Sequence, residues 1–161
     1  MIILGIDPGS RRIGYGLIKV AGNSLSILEA GILKISSPGD ARALDEAHQG
    51  TLALVRKYRP EILGIEKLYF AKNRKTAIGV AQARGVIIAL AIRQGLEVLE
   101  YSPSEVKSGV AGYGLADKQA VAKMVRAIFG RPDLRVIDDA SDALAVAYLA
   151  SRDCEMRRRL S

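Results

Sequence analysis

The chain has 161 residues, of which 49% are hydrophobic and 25% are charged, a composition typical of one soluble globular domain. Its formal net charge of +7 favours a polyanionic partner, although a solvated basic surface has the same composition. A single cysteine, Cys154, excludes an internal disulfide, and we read neither a signal peptide nor a membrane-spanning run, so we expect a cytoplasmic protein.

The first predicted elements are three strands in an antiparallel meander. Residues 2–7 form a short apolar run that ends in Asp7. Residues 13–20 and 25–36 alternate apolar with polar side chains, as half-buried strands do. The dipeptide Gly22-Asn23 provides the tight connection between the second and third strands.

Predicted helices and strands alternate in the middle of the chain. Apolar spacing predicts a helix over residues 41–58, and Pro60 prevents its continuation. Strand four follows at residues 62–66, a long helix at about 76–94, and strand five at 96–101.

The last part of the chain is predicted to be helical. Ser102-Pro103-Ser104-Glu105 has the pattern of a capping box with proline at the first helical position, and helices follow over about 117–129 and from about 138 into the 150s. The sequence predicts an α/β fold, a five-stranded mixed sheet of three antiparallel and then two parallel strands, with helices on both faces. We place one globular domain at residues 1–152 and a mobile basic tail at 153–161.

Two of the predicted strands carry nearly the same phrase, and each ends in an acid. Ile3-Leu4-Gly5-Ile6-Asp7 recurs as Ile62-Leu63-Gly64-Ile65-Glu66. Ligands of open α/β sheets bind beyond the carboxyl ends of the strands, so neighbouring strands would bring Asp7 and Glu66 together there. Like charges held at the edge of a dry sheet are costly unless a cation lies between them, which indicates a metal site.

Three more acids, Asp138, Asp139 and Asp142, open the last predicted helix. The helix dipole explains one or two acids in a first turn, but three within five residues repel one another. Asp142 shares a helix face with Asp139 and also with Asp138, so spacing alone does not choose between these pairs. If this helix packs beside strands one and four, its first turn joins Asp7 and Glu66.

The predicted acid cluster has the chemistry of a magnesium site. Carboxylates without histidine or cysteine are hard oxygen ligands, which suit Mg²⁺ or Mn²⁺ rather than zinc. Two such ions serve phosphodiester hydrolysis, because one lowers the pKa of the attacking water and the other neutralises charge on the leaving oxygen. With the basic net charge, this predicts a nuclease that binds two ions per active site.

Residues 67–75 form a basic and aromatic segment. Lys72 and Arg74 are among its four cations, which can neutralise phosphates. Tyr69 and Phe70 are adjacent rings, and an exposed ring can stack on an unpaired base. The alternative is that both rings pack inward and the cations are only solvated. We favour one exposed ring, because two rings are hard to bury in so polar a loop.

Lys118 is predicted to lie in the first turn of a helix, where a cation opposes the helix dipole. A residue that goes against the charge preference of its helix position, with no compensating contact evident in the sequence, often belongs to a functional site. Gly109, Gly112 and Gly114 lie just upstream, so the approach to this lysine is flexible or close to a ligand.

The long predicted helix carries small residues at four-residue steps. Such a stripe lets another backbone approach closely, which fits either packing on the sheet or the seam of a helix-to-helix dimer. The stripe consists of Ala77, Ala81, Gly85 and Ala89.

Several short segments occur in the order and spacing of a known family. They are Gly5-Ile6-Asp7-Pro8-Gly9-Ser10, Gly14-Tyr15-Gly16, Ile65-Glu66, Ala71-Lys72-Asn73, Gln82-Ala83-Arg84-Gly85, residues 101–107, and residues 139–145. With these segments the chain resembles the RuvC family of bacterial Holliday-junction resolvases over nearly its whole length. The resemblance implies an RNase H-like fold, and a homodimer that binds a four-way DNA junction and nicks two strands of like polarity symmetrically.

The resemblance also implies roles for particular residues. It places the junction-wedge aromatic at Tyr69, where phenylalanine is familiar, and DNA-contacting lysines at Lys107 and Lys118. The family's dimer contact uses the helix after strand four, which favours the dimer seam for the stripe, and the family works with a branch-migration motor, RuvA and RuvB. The implied metal-binding acids, which include Asp139 instead of Asp138, are Asp7, Glu66, Asp139 and Asp142.

Three other readings compete with a junction nuclease. An actin-like or sugar-kinase-like ATPase also opens with a strand, an acid and a Gly-Ser turn, but it needs two such domains and 161 residues are too few. A related nuclease of the YqgF type, acting on RNA, would not explain the aromatic loop as well. A junction-binding module without catalysis gains nothing from acids beside phosphates.

Overall fold

The computed structural model describes residues 1–37, 39–68, 74–135 and 138–160, without the side chains of residues 74 and 75. Its strands are β1 (Ile2–Asp7), β2 (Arg12–Ala21), β3 (Ser24–Lys34), β4 (Ile62–Glu66) and β5 (Glu97–Tyr101). Its helices are α1 (Asp40–Tyr58), α2 (Arg74–Arg93), α3 (Pro103–Ala111), α4 (Lys118–Ile128) and α5 (Asp138–Leu160).

The strands form one five-stranded sheet in the order β3-β2-β1-β4-β5. β2 pairs antiparallel with both β1 and β3. β4 pairs parallel with both β1 and β5. The predicted mixed sheet is therefore confirmed, with three antiparallel strands followed by two parallel strands.

The helices cover both faces of the sheet, and each face has its own core. On one face α5 packs on β1, β2 and β4, with α3 and α4 beside it, around buried side chains such as Ile3, Leu144 and Val125. On the other face α1 and α2 cover a second core that includes Leu4, Leu63 and Ile87. Both faces of the central strands are thus dry.

The predicted capping box is present at the start of α3. The Ser102 hydroxyl accepts a hydrogen bond from the Glu105 backbone N–H at 3.2 Å, and the Glu105 carboxylate accepts one from the Ser102 N–H at 2.6 Å. Glu105 is thereby committed to the helix start, in agreement with its predicted role as a capping group.

The C-terminal segment differs from the mobile tail that we predicted. α5 continues as one helix to Leu160. Cys154 is buried in the core, and the Arg157 guanidinium donates a hydrogen bond to Glu97. These contacts hold this part of α5 against the rest of the domain. The structure has no boundary after residue 152, and the division of the chain there stays a prediction.

The two copies of the repeated phrase lie side by side in register. Gly5 of β1 pairs with Gly64 of β4 on one side and with Gly16 of β2 on the other. This row of glycines leaves a groove across three central strands, and α5 lies in it. A Cβ atom at Gly5 would overlap the backbone carbonyl of Ala143, so the helix approaches the sheet more closely than ordinary side chains allow.

Helix α2 has an apolar face on each side, which the sequence reading did not anticipate. Residues Thr76–Arg93 are long and apolar enough to cross a membrane by length and composition, with 28% of the window buried. Ile87, Leu90 and Ala91 pack on the sheet, whereas Ile78 and Ile92 are 66% and 62% exposed. One such helix is weak evidence for a membrane protein.

Candidate active site

The carboxyl edge of the sheet brings Asp7 and Glu66 together. They end the parallel strands β1 and β4, whose register pairs Ile6 with Ile65 just before the two acids. The repeated phrase therefore places two carboxylates at matching positions on neighbouring strands, as the sequence predicts.

Helix α5 adds acids from its first turns. Gly14 of β2 pairs with Asp7, and a Cβ atom at Gly14 would overlap the Asp139 backbone. The start of the helix therefore lies directly on the strand that neighbours Asp7. Asp142 lies one turn further along and lines the same cavity as Asp7 and Glu66, while Asp138 is exposed.

The cavity at this edge has a volume of about 280 Å³ and holds charges of both signs. Lys107 of α3 and Lys118 of α4 line it opposite the acids. The full lining consists of Asp7, Glu66, Pro103, Val106, Lys107, Lys118, Val121 and Asp142.

Burial and mutual repulsion make the acids at this edge hard to ionise. Burial, and then the charges of Glu66, Asp142 and Asp139, raise the pKa of Asp7 to about 7. Burial and the Asp142 charge raise the pKa of Glu66 to about 7, against the opposing effect of Lys118 and Lys107. Such shifts mean that added positive charge at the cavity would be stabilising.

The two acids of α5 are each paired with a basic side chain. The Arg12 Nε atom donates a hydrogen bond to the Asp139 Oδ2 atom at 3.2 Å, and the Lys118 Nζ atom donates one to the Asp142 Oδ2 atom at 3.3 Å. Asp139 does not line the cavity, but its charge contributes to the raised pKa of Asp7.

The predicted convergence of four acids on a shared ion is thus only partly seen. Within the described residues, no three acidic, histidine or cysteine side chains are arranged so that they could hold a metal ion. The donor chemistry nevertheless fits a hard divalent cation, because the groups are carboxylates at one sheet edge that carry more negative charge than their surroundings favour. Arg12 and Lys118 each contact only the Oδ2 atom of their acid, and the second oxygen of each carboxylate is a further donor for a cation.

The structure describes only some of the residues that we predicted to contact DNA. Lys107 and Lys118 line the cavity. Tyr69 and Lys72 lie outside the described residues, and of Arg74 only the backbone, at the start of α2, is described.

The predicted small-residue stripe is divided between two faces of α2. Ala81, Gly85 and Ala89 are exposed. Ala77 is instead buried, at 9% exposure, because it lies on the side of α2 that packs against the chain's own core. The exposed stripe therefore begins at Ile78, which the sequence reading did not include.

Two arginines near the site were missed. Arg84 of α2 donates a hydrogen bond to the Glu66 backbone carbonyl at 3.0 Å and pairs with Glu100, so it fixes the end of β4. Arg12 pairs with Asp139 although 127 positions separate them in the chain. Arg84 lies in Gln82-Ala83-Arg84-Gly85, one of the segments that resemble the family, so its role could have been suspected. The sequence around Arg12 contains no comparable pattern.

A family model described as the crossover junction endodeoxyribonuclease RuvC matches residues 3–149. The chain belongs to the RuvC family. Among relatives, RuvC of Natranaerobius thermophilus is 43% identical over 161 residues, covering 99% of this chain and 100% of that protein. RuvC of Heliobacterium modesticaldum is 47% identical over 148 residues, covering 91% of each chain.

Solved structures give the same assignment. Thermus thermophilus RuvC superposes with a TM-score of 0.88 at 31% identity, covering 97% of this chain and 96% of that one, and the same protein in complex with a Holliday junction substrate gives the same values. The yeast mitochondrial Holliday junction resolvase Ydc2 shares the fold, with a TM-score of 0.66 at 15% identity. The predicted family, RNase H-like fold and enzyme class are confirmed, and nucleases of the RuvC family depend on a metal ion.

Proposed function

We propose that this chain is a Mg²⁺-dependent endonuclease that resolves Holliday junctions by symmetric paired nicks in DNA recombination and repair. The supporting observation is that Asp7, Glu66 and Asp142 meet two lysines in one cavity at the carboxyl edge of the sheet. The complex of the T. thermophilus relative with a Holliday junction substrate supports the choice of DNA.

The metal site that we propose consists of Asp7, Glu66, Asp139 and Asp142, which would hold two Mg²⁺ ions, with Mn²⁺ able to substitute. When bound, the ions would supply an acidified water and neutralise charge on the leaving oxygen. The chain's own contribution is to hold these carboxylates near one edge of the sheet, where burial and the neighbouring negative charges raise the pKa of Asp7 and Glu66 to about 7.

The lysines of the cavity serve the substrate in this proposal. Lys107 and Lys118 would neutralise the phosphates on either side of the scissile bond, and Lys72 and Arg74 would follow the DNA backbone away from the site. Lys118 is well placed for this role, because its side chain is 68% exposed while it contacts Asp142. Tyr69 would act as the wedge that stacks on a base at the junction centre.

Lys118→Ala is expected to weaken junction binding in a salt-dependent way. The loss of one phosphate contact lowers the slope of log Kd against log salt by about one unit. Junction affinity should be measured by fluorescence anisotropy across a salt series. Lys123→Ala is the matched control, because Lys123 lies on the same helix but does not line the cavity. An unchanged slope for Lys118→Ala would show that this lysine does not contact a DNA phosphate.

The proposed homodimer forms through the exposed apolar face of α2. Small residues at its centre allow a second helix to approach, and Ile78 and Ile92 at its ends would lose their 66% and 62% exposure. This exposed face consists of Ile78, Ala81, Gly85, Ala89 and Ile92.

Ala81→Glu is expected to convert the dimer to a monomer, because it would bury a carboxylate without a partner at the seam. Light scattering after size exclusion measures the mass. Gln94→Glu adds the same charge at an exposed position just beyond α2 and should leave the mass unchanged. A dimer that survives Ala81→Glu at micromolar concentration would place the seam on another face.

A cleavage assay on matched substrates tests the proposed function. A synthetic four-way junction, a linear duplex of the same sequence and an RNA hairpin should be incubated with and without Mg²⁺. We expect cleavage of the junction only, only with Mg²⁺, and with 5′-phosphate ends that ligase seals. Equal cleavage of duplex would contradict junction resolution, and preferential cleavage of RNA would favour the YqgF-type alternative. The cytoplasmic location, the domain division at residue 152 and the RuvA and RuvB partners belong to the same proposal.

A further inference from the structure

The loop between α3 and α4, residues 112–117, exposes two apolar side chains. Tyr113 is 56% exposed and Leu115 is 94% exposed. A single exposed apolar residue is ordinary on a protein surface. Two of them within three residues, beside a cavity that holds acids and lysines, need a different explanation.

The 112–117 loop is anchored at both ends. Gly112 adopts a left-handed backbone with φ of 86°, and its N–H donates a hydrogen bond to the Ser108 carbonyl at 2.9 Å. At the other end Ala116 is only 1% exposed, and the Asp117 carboxylate caps α4 by accepting from the Ala120 N–H at 2.7 Å. Tyr113 and Leu115 are therefore presented on a short segment whose ends are fixed.

The 112–117 loop joins α3 and α4, the two helices whose lysines line the active-site cavity. Gly114 lies against α3, where a Cβ atom would meet the Ser108 Oγ atom at 3.1 Å and the Ser104 carbonyl at 3.6 Å. Ser104 and Ser108 directly follow Pro103 and Lys107 of the cavity wall. At the far end of the loop, Lys118 comes immediately after the capping residue and lines the same cavity.

The 112–117 loop lies in the chain between Lys107 and Lys118, and these two cations indicate that its binding partner is a nucleic acid. A nucleic-acid strand whose phosphate lies near Lys107 and Lys118 carries its neighbouring bases beside that phosphate. An aromatic ring with an aliphatic neighbour is the surface on which a base face packs, in any sequence. Basic side chains beside exposed rings distinguish such a surface from a site for an apolar protein partner.

We propose that Tyr113, flanked by Leu115, stacks on a base next to the scissile phosphate and holds that nucleotide in register with the acids. This inference rests on the proposed function, because it requires a DNA strand in the cavity. Tyr113 would be a positioning residue, since its ring contacts a base and not the reacting phosphate.

A double-mutant cycle that combines substitution of the Tyr113 side chain with removal of a DNA base tests the proposal. Single-turnover cleavage of a four-way junction is measured for the wild type and for Tyr113→Ala, on junctions with an abasic nucleotide placed in turn at each position flanking the mapped cut. Tyr113→Ala is expected to slow cleavage of the intact junction roughly fivefold to a hundredfold, the range for loss of one base stack. At one abasic position the wild type should slow by a similar factor, and Tyr113→Ala should lose little more there, since both changes remove the same contact.

Matched variants separate stacking from folding. Tyr113→Phe keeps the ring and should cleave at the wild-type rate. Leu115→Ala, at a fully surface position, should lower the rate less than Tyr113→Ala without changing the melting temperature. Leu28→Ala alters an exposed leucine of β3, outside the cavity wall, and should have no effect on cleavage.

The outcomes also distinguish this inference from the proposed function. If the wild type cuts junctions but Tyr113→Ala cuts equally fast, or if the protein and abasic effects multiply at every position, the stacking role is wrong and the function stands. If the wild type cuts no junction with Mg²⁺, the proposed function itself fails.

Discussion

Asp7→Asn is expected to abolish junction cleavage, with a fall in rate of roughly a thousandfold or more, because a metal ligand contributes several kcal/mol to the transition state. The fold should persist, since asparagine has the same shape and removes one of the crowded charges behind the raised pKa of Asp7. Junction binding should be unchanged or tighter, because one negative charge near the DNA phosphates is lost.

The measurement is single-turnover cleavage with Mg²⁺, together with junction affinity in the same buffer. Asp45→Asn on α1 is the control, since Asp45 is exposed and does not line the cavity. A wild-type cleavage rate for Asp7→Asn would show that the carboxylate at the end of β1 is not part of the reaction.

Gly5→Ala is expected to destabilise the protein severely, by about 3 kcal/mol or more. The added methyl group would overlap the Ala143 carbonyl and lie 2.7 Å from the Ala147 N atom. Both atoms belong to the backbone of α5, so the helix would have to move away from the sheet as a unit. A melting temperature lower by ~10 °C, in a protein of this size, is the expected result.

Gly64→Ala is the matched control, because Gly64 occupies the same position of the repeated phrase and pairs with Gly5. There an added methyl group would meet the Val146 Cγ1 atom at 3.1 Å, the Ala150 Cβ atom at 3.2 Å and the Val146 backbone oxygen at 3.3 Å, all farther away than the nearest backbone atom at Gly5. These contacts need only a small adjustment, so we expect a loss of about 1 kcal/mol or less. Equal losses for the two variants would mean that α5 does not depend on the groove at β1.

The arrangement of the sheet could be predicted because local patterns determine it. The repeated phrase marks two buried strands, and the structure aligns them residue by residue. The capping box marks the start of α3 in the sequence and in the structure. Both signals are short-range, so they can be read without knowledge of tertiary contacts.

The choice among the acids of α5 could not be made from helical spacing. Asp142 shares a face with both Asp138 and Asp139, and only the approach of the helix to the sheet distinguishes them. The Asp139 backbone rests where Gly14 leaves room, whereas Asp138 is exposed. The resemblance to a family implies Asp139, and the packing of α5 supports that choice, which stays a proposal.

Contacts between distant parts of the chain could not be predicted at all. The pairing of Arg12 with Asp139 depends on how β2 and α5 meet, and no local pattern reports it. The burial of Ala77 depends on the rotation of α2 about its axis, which no local pattern reports, and the role of the predicted stripe in a dimer stays a prediction. Near the C-terminus, Arg157 pairs with Glu97 across 60 positions, and no local pattern reports that contact either.

The most direct test of the central claim is anomalous diffraction from crystals of this protein soaked in Mn²⁺. We predict two manganese peaks among the carboxylates of Asp7, Glu66, Asp139 and Asp142, and no peak there in Asp7→Asn crystals. Manganese bound elsewhere, or no peak at a concentration that supports cleavage in solution, would contradict the assignment of these acids to the metal.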